Sequence, residues 1–186
     1  DCVLIVGFGQ MRLSFPQILV EPFRLLRELG RGGMGSVHLA ELVEDRAYAR
    51  AGTRLAVKIL HAPGAEALTR FRREAELGLS IEHPAVVRTH EIVEVPDARH
   101  ARLLIALEHV EGRDLAAIVE ELGALPEALV RHVGAEAARG LAAVHAAGAV
   151  HRDVKASNIL LTAEHRVKLA DLGIARRIDD VGEEDA

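Results

Sequence analysis

The chain has 186 residues, 49% of them hydrophobic and only 3% aromatic, and a net charge of −5. That size suits one domain or two small lobes around a core of Leu, Val, Ile and Ala, and the charge offers no footing for nucleic acid. A single cysteine, Cys2, excludes an internal disulfide and fits a reducing cytoplasm, and every apolar run is far short of a membrane span.

Residues 1–22 form an N-terminal extension of uncertain role. Cys2 to Gly9 resembles the start of a dinucleotide-binding turn, but the third glycine of that fingerprint falls on Arg12, and Pro16 interrupts the helix that should follow. No basic residues lead the apolar run, which argues against a secretory signal, and the first methionine is Met11. From Phe23 the pattern changes. Phe23–Leu29 reads as a strand, followed by Gly30, Gly32 and Gly35 in G-x-G-x-x-G spacing. A dinucleotide loop opens into a helix. Here Ser36–Ala40 continues as a strand, so the glycines sit in a hairpin whose bare backbone can lie over phosphates. A plain glycine turn is the bland alternative.

Residues 41–54 are polar and small, a connecting loop. Leu55–Leu60 is a short apolar strand carrying Lys58. A charge there needs a partner, and Glu74 lies in the helix expected over 66–80, with Leu68, Phe71, Ala75 and Leu79 at helical spacing. The alternative is that Lys58 snorkels to solvent. His83-Pro84 ends that helix. Val86–Val93 and Leu103–Leu107 read as strands, joined by a turn at 96–100. Residues 108–112 break the apolar pattern as a hinge. Asp114 caps a short helix to about Leu122. Pro126 opens a longer one over 127–147 with the apolar stripe Leu129, Val133, Ala137, Leu141 and Val144.

The next stretch is His151-Arg152-Asp153-Val154-Lys155-Ala156-Ser157-Asn158, with Asp171-Leu172-Gly173 further on. It offers a carboxylate to accept a hydroxyl proton, a cation for a moving phosphate, and oxygen ligands for Mg²⁺. Asp153, Lys155, and the pair Asn158 and Asp171 fit those jobs. The chain has three lysines, at 58, 155 and 168, and one asparagine, at 158. Two of the lysines and the asparagine stand at candidate phosphate and metal positions, which suggests that chemistry chose them. Ile159–Leu161 and Val167–Ala170 read as two strands of a hairpin, with Asn158 and Asp171 on either side of it. The ten histidines are scattered and have no partner cysteines, so no zinc site is expected.

Glycine hairpin, Ala-Val-Lys strand, Glu-bearing helix, hinge, H-R-D-x-K-x-x-N and D-x-G, in that order, resemble the eukaryotic-like (Hanks-type) serine/threonine protein kinases found in bacteria. Arg31-Gly32-Gly33-Met34-Gly35 and His151-Arg152-Asp153-Val154-Lys155 look especially like the bacterial branch. The resemblance spans about Phe23 to Arg176. It implies an α+β, two-lobe fold: an N-lobe over 23–108 with a five-stranded antiparallel sheet and one helix, a hinge at 109–112, and a mainly helical, incomplete C-lobe over 113–186. It implies ATP with Mg²⁺ or Mn²⁺, and protein substrates phosphorylated on Ser or Thr. Gly30, Gly32 and Gly35 would cover the phosphates. Lys58, paired with Glu74, would contact the α- and β-phosphates. Leu29, Val37, Ala56 and Leu160 would sandwich the adenine, with Leu107 as gatekeeper and Glu108 and Val110 offering hinge backbone. Asp153 would be the catalytic base, Lys155 the γ-phosphate contact, and Asn158 and Asp171 the metal ligands. Arg152 would meet a phosphorylated activation loop.

Three departures stand out. Leu172 replaces the usual Phe and should still pack into an apolar slot. Ala156 replaces a common Pro. The chain stops at Ala186, and nothing after Arg176 resembles the A-P-E element. The resemblance therefore implies an incomplete domain with little activity of its own, and an exposed stripe on the 127–147 helix where further helices would pack. A nucleotide-binding pseudokinase or truncated regulator is the alternative. A small-molecule kinase of the aminoglycoside or choline type is disfavoured by Lys155 and by the Arg-Gly-Gly-Met-Gly loop.

Overall fold

The computed structural model describes residues 18–32, 35–61, 64–95, 102–172 and 176–177. Residues 1–17, Gly33, Met34, the expected turn at 96–100, Gly173 and the tail 178–186 lie outside the described residues.

Six strands form one antiparallel sheet: β1 (Ile18–Val20), β2 (Phe23–Gly32), β3 (Gly35–Leu42), β4 (Arg54–Leu60), β5 (Thr89–Val95) and β6 (Arg102–Glu108), in the order β1-β2-β3-β4-β6-β5. The five expected strands are present. The sixth, β1, is a three-residue edge strand recruited from the N-terminal stretch, with Val20 paired to Phe23. Side-chain alternation sorts the sheet into two faces. Val57, Ile59, Leu104 and Ala106 turn to one side, where they meet Phe23, Leu25, Ala40, Leu42 and Leu55 in a dry cluster. Leu103 and Ile105 turn to the other and meet α1 (Ala65–Ser80) through Phe71 and Ala75. Burying a side chain such as Phe71 stabilises by about 1.5–3 kcal/mol, which is how helix and sheet become one unit.

α1 ends at Ser80, where the sequence places its end, but the residue that its last turn buries is not the expected one. Leu79 is 47% exposed, while Leu77 is buried with Ile81, Val86, Val144, Ala149 and Leu172. The last turn of α1 thus faces a second surface, below the sheet, which a single-stripe reading of the helix cannot anticipate. The apolar run from Val86 is also not yet strand. Ala85 closes a turn and 86–88 run on as a connector, in which Ala85 O accepts from Leu169 N (2.8 Å) and Val87 N donates to Leu169 O (2.9 Å). Extended backbone has the same side-chain period whether it pairs within the sheet or outside it.

The remaining elements form the second lobe: β7 (Gly112–Asp114), α2 (Leu115–Leu122), α3 (Glu127–Ala146), β8 (Ala149–Val150), β9 (Ile159–Thr162), β10 (Val167–Leu169) and β11 (Arg176–Arg177). Asp114 caps α2 by accepting from Ala117 N at 2.8 Å, and Gly123, at φ 71°, ends it in the left-handed region. β7, β9 and β10 make a three-stranded sheet, and β8 pairs with β11. The stripe on α3 is buried rather than exposed. Val133 and Ala137 pack with Ile118, Ile159, Leu161, Val167 and Leu169, and Leu129 and Leu141 lean on the same cluster. The β9–β10 hairpin, with Ile118 of α2, covers this face of the helix. Gly140 lets α3 approach the connector, since a Cβ there would stand 2.8 Å from Ala85 O. Among the described residues no helix is long and apolar enough to cross a membrane.

Candidate active site

A cleft of about 1380 Å³ lies between the six-stranded sheet and the second lobe. Its upper wall is the β2–β3 hairpin. The pairing of β2 with β3 slips at Leu29, a bulge that leaves this side chain on the cleft wall with Gly30, Gly32, Gly35 and Val37. The three motif glycines differ physically. A Cβ on Gly35 would stand 2.0 Å from Ile59 O, so the close pairing of β3 with β4 excludes a side chain there. At Gly30 and Gly32 a Cβ would meet nothing within 4 Å among the described residues.

Lys58, on the cleft face of β4, donates to Glu74 Oε1 at 2.6 Å and to Asp171 Oδ1 at 3.1 Å. Its side chain is 14% exposed and that of Glu74 only 9%, so this is an interior pair rather than a solvent-facing one. Burial works against the Lys58 charge, but two carboxylates outweigh it and hold the ammonium above its ordinary pKa. Burial also raises the Glu74 pKa. Lys58 counters the rise but is shared, and the neighbouring Asp171 carboxylate adds to it. Both pKa values are thus raised, which favours the charged form of Lys58 and, through burial, disfavours that of Glu74.

The hairpin of β9 and β10 builds the floor. Leu169 pairs with Ile159, and Ala170 N donates to Asn158 O at 2.8 Å, which brings Asn158 and Asp171 to the open end of one hairpin. Asp171 adopts φ 62° and Arg152 φ 65°, both in the left-handed region. Arg152 itself is exposed. Asp153 Oδ2 accepts from Lys155 Nζ at 2.7 Å and from Asn158 Nδ2 at 2.9 Å. The hydrogen bond from Lys155, then that from Asn158, hold the Asp153 carboxyl below its ordinary pKa against partial burial. The second N–H of Asn158 goes to Asp153 O, also at 2.9 Å. With both donors engaged, the carbonyl oxygen of Asn158 is the atom left to face a metal. One carboxamide and one carboxylate are hard oxygen donors and suit Mg²⁺ or Mn²⁺. Among the described residues no group of three or more His, Cys, Asp or Glu converges, so a cation held by these two would take the rest of its shell from phosphate and water.

The expected site residues that line the cleft are Leu29, Gly30, Gly32, Gly35, Val37, Ala56, Lys58, Glu74, Leu107, Glu108, Val110, Asp153, Asn158, Leu160 and Asp171; Lys155 does not line it. Lys155 touches the lining residue Asp153. Glu108 N is already engaged, donating to Arg88 O at 2.8 Å. Leu172 is 7% exposed in the cluster of Leu77 and Val144, so leucine does fill the apolar slot.

The protein kinase domain family model matches residues 23–185. The chain belongs to the protein kinase domain family. This kinase domain is 39% identical over 173 residues to serine/threonine-protein kinase PknA of Corynebacterium glutamicum, covering 90% of this chain and 35% of that protein. It is 39% identical over 163 residues to serine/threonine-protein kinase pkn2 of Myxococcus xanthus, covering 84% and 18%. With PknB of Mycobacterium leprae the identity is 35% over 171 residues, covering 90% and 26%. The chain thus spans about a third or less of the length of these relatives.

Sequence reasoning assigned no role to two groups in this kinase domain. His151 is 1% exposed; its Nε2 donates to Ala170 O at 3.2 Å and its Nδ1 accepts from Asp153 N at 3.3 Å. Burial keeps it neutral, with its pKa lowered, and the two bonds select the Nε2–H tautomer. It ties the backbone beside Asp153 to the backbone before Asp171. Lys168, the remaining lysine of a lysine-poor chain, binds Glu108 Oε2 at 2.6 Å. Its rarity was the only signal available in the sequence.

Proposed function

We propose that this chain is the nucleotide-binding and catalytic core of a kinase that transfers the γ-phosphoryl group of ATP to Ser or Thr side chains of other proteins. The observation that carries the reading is the double pairing of Lys58, with Glu74 at 2.6 Å and Asp171 at 3.1 Å. Such a buried ammonium is held charged and fixed at the junction of both lobes, where a triphosphate needs a cation. Residues 23–108 act as the upper lobe, 109–112 as the hinge and 113–186 as the lower lobe.

Leu29, Val37, Ala56 and Leu160 close on the adenine, beside Leu107 and the Glu108–Val110 backbone. Gly30, Gly32 and Gly35 cover the phosphates with backbone. Asn158 and Asp171 hold Mg²⁺, which supplies neutralising charge to the phosphate oxygens when bound. Lys155 Nζ contacts the γ-phosphate. Asp153 orients the substrate hydroxyl and takes its proton. Its Oδ2 is committed to Lys155 and Asn158, whereas Oδ1 has no hydrogen-bond partner among the described residues and is the acceptor. With its pKa lowered, Asp153 is ionised and ready at neutral pH. A cytoplasmic setting, where ATP is supplied, suits the reading.

Thermal stabilisation by Mg·ATP tests the nucleotide half: the wild-type chain gains stability and Asp171→Asn gains much less. Phosphate transfer to a Ser/Thr protein substrate by the full-length protein tests the catalytic half. Stabilisation without transfer would leave a nucleotide-binding module that does no chemistry.

A further inference from the structure

The two lobes are joined behind the cleft by a closed circuit of three segments. Leu169 is clamped to the connector by Ala85 O (2.8 Å) and Val87 N (2.9 Å). At the end of that connector, Arg88 O accepts from Glu108 N (2.8 Å), and Arg88 N donates to Glu108 Oε2 (3.2 Å). Lys168 closes the loop by donating to the same Glu108 Oε2 at 2.6 Å. Its side chain is 13% exposed and that of Glu108 31%, so this ion pair is partly sheltered from water. Glu108 ends β6, two residues before Val110. Lys168 lies in β10, three residues before Asp171.

From this circuit we infer that the Glu108–Lys168 pair is a strut that sets the distance between the hinge backbone and Asp171. Lys168 is a positioning residue: it lines the back of the hinge rather than the nucleotide cleft. The inference rests on the nucleotide reading above and deepens it. A ligand that spans both half-sites gains from their being held at the right separation, because the second contact is then made at high effective concentration. A ligand that touches one half-site gains nothing. The choice of residue agrees with a buried point-charge contact. Only three of the 23 Lys and Arg residues are lysines, and an ammonium makes a single point-charge contact where a guanidinium presents a planar fork.

The test is Lys168→Met in the full-length protein, with three ligands measured by equilibrium binding or competition: Mg·ATP, adenosine, and Mg·tripolyphosphate. The strut predicts a loss of Mg·ATP affinity of about tenfold, with adenosine and tripolyphosphate changed less than about twofold. Glu108→Gln should weaken Mg·ATP similarly, and the double variant no further, as expected of one shared interaction. An equal loss for all three ligands would mean general disorder of the cleft and would overturn the strut, as would unchanged Mg·ATP affinity. Should Lys168→Met not fold, Glu108→Gln with the same three ligands decides between the same outcomes. Failure of the wild-type protein to bind Mg·ATP would instead refute the nucleotide reading, and the strut with it.

Discussion

Lys58 and Asp171 are 113 positions apart in the chain, yet Lys58 Nζ lies 3.1 Å from Asp171 Oδ1 while it also holds Glu74 at 2.6 Å. One ammonium therefore joins β4, α1 and the segment after β10. Lys58→Met should abolish most of the Mg·ATP-induced rise in thermal midpoint. It leaves the buried Glu74 without its cation, so the protein without nucleotide should also lose about 1–3 kcal/mol, partly relieved as Glu74 takes up a proton. Denaturant titration with and without Mg·ATP measures both effects. An undiminished nucleotide response would remove Lys58 from the site.

Asp153→Asn in the full-length protein should cut turnover by about 10²–10⁴ while sparing ATP affinity, the usual worth of a general base. Lys155→Ala should act differently. Lys155 is the leading cause of the lowered Asp153 pKa, so its removal lets that pKa rise and moves the acid limb of the pH–rate profile to higher pH. An unmoved acid limb would show that Asp153 does not set it.

The glycines of the β2–β3 hairpin should separate by phenotype. Gly35→Ala forces a Cβ against Ile59 O and should destabilise by about 1–3 kcal/mol with or without nucleotide. Gly30→Ala has open space around it and should change stability by less than about 0.5 kcal/mol, with its cost appearing in phosphate binding. Unfolding curves alongside Mg·ATP affinities test this. Equal destabilisation by the two substitutions would contradict the contact geometry.

Stability should fall as the pH drops from about 6.5 towards 5. Burial is the leading cause of a lowered pKa at His38, His90, His109 and His151. The unfolded chain, with ordinary imidazoles, binds more protons than the folded chain in this window, so acid favours unfolding. Glu74, with its raised pKa, acts in the opposite sense nearer its own range, and four histidines outnumber it. The thermal midpoint across this interval measures the balance, and His151→Asn should flatten it. A midpoint that rises on acidification would refute the assignment.

Much of the site was legible because its chemistry is written in short, ordered segments. Asp153, Lys155 and Asn158 are near neighbours in sequence, and the short turn at Ala156–Asn158 brings their side chains together. Asp114 capped its helix as its position before an apolar run predicted. The α3 stripe was readable as apolar but not as covered, because the sequence carries no sign that β9 and β10 supply the partner face. The same limit hid the second face of α1, where Leu77 rather than Leu79 is buried.

The sequence by itself determined the order of the five main strands and three helices, though not the short strands β1, β7, β8 and β11, and the grouping of candidate reactive residues into a glycine hairpin, a lysine strand and a carboxylate-bearing loop. Those follow from side-chain period, turn chemistry and the functional groups a phosphoryl-transfer site requires. Only the tertiary structure decided which charges meet: that Lys58 serves two carboxylates, that His151 ties the two halves of the floor, and that Lys168 braces Glu108 from behind. Such contacts depend on the distance between side chains from remote segments, and local patterns of composition and spacing do not carry that distance.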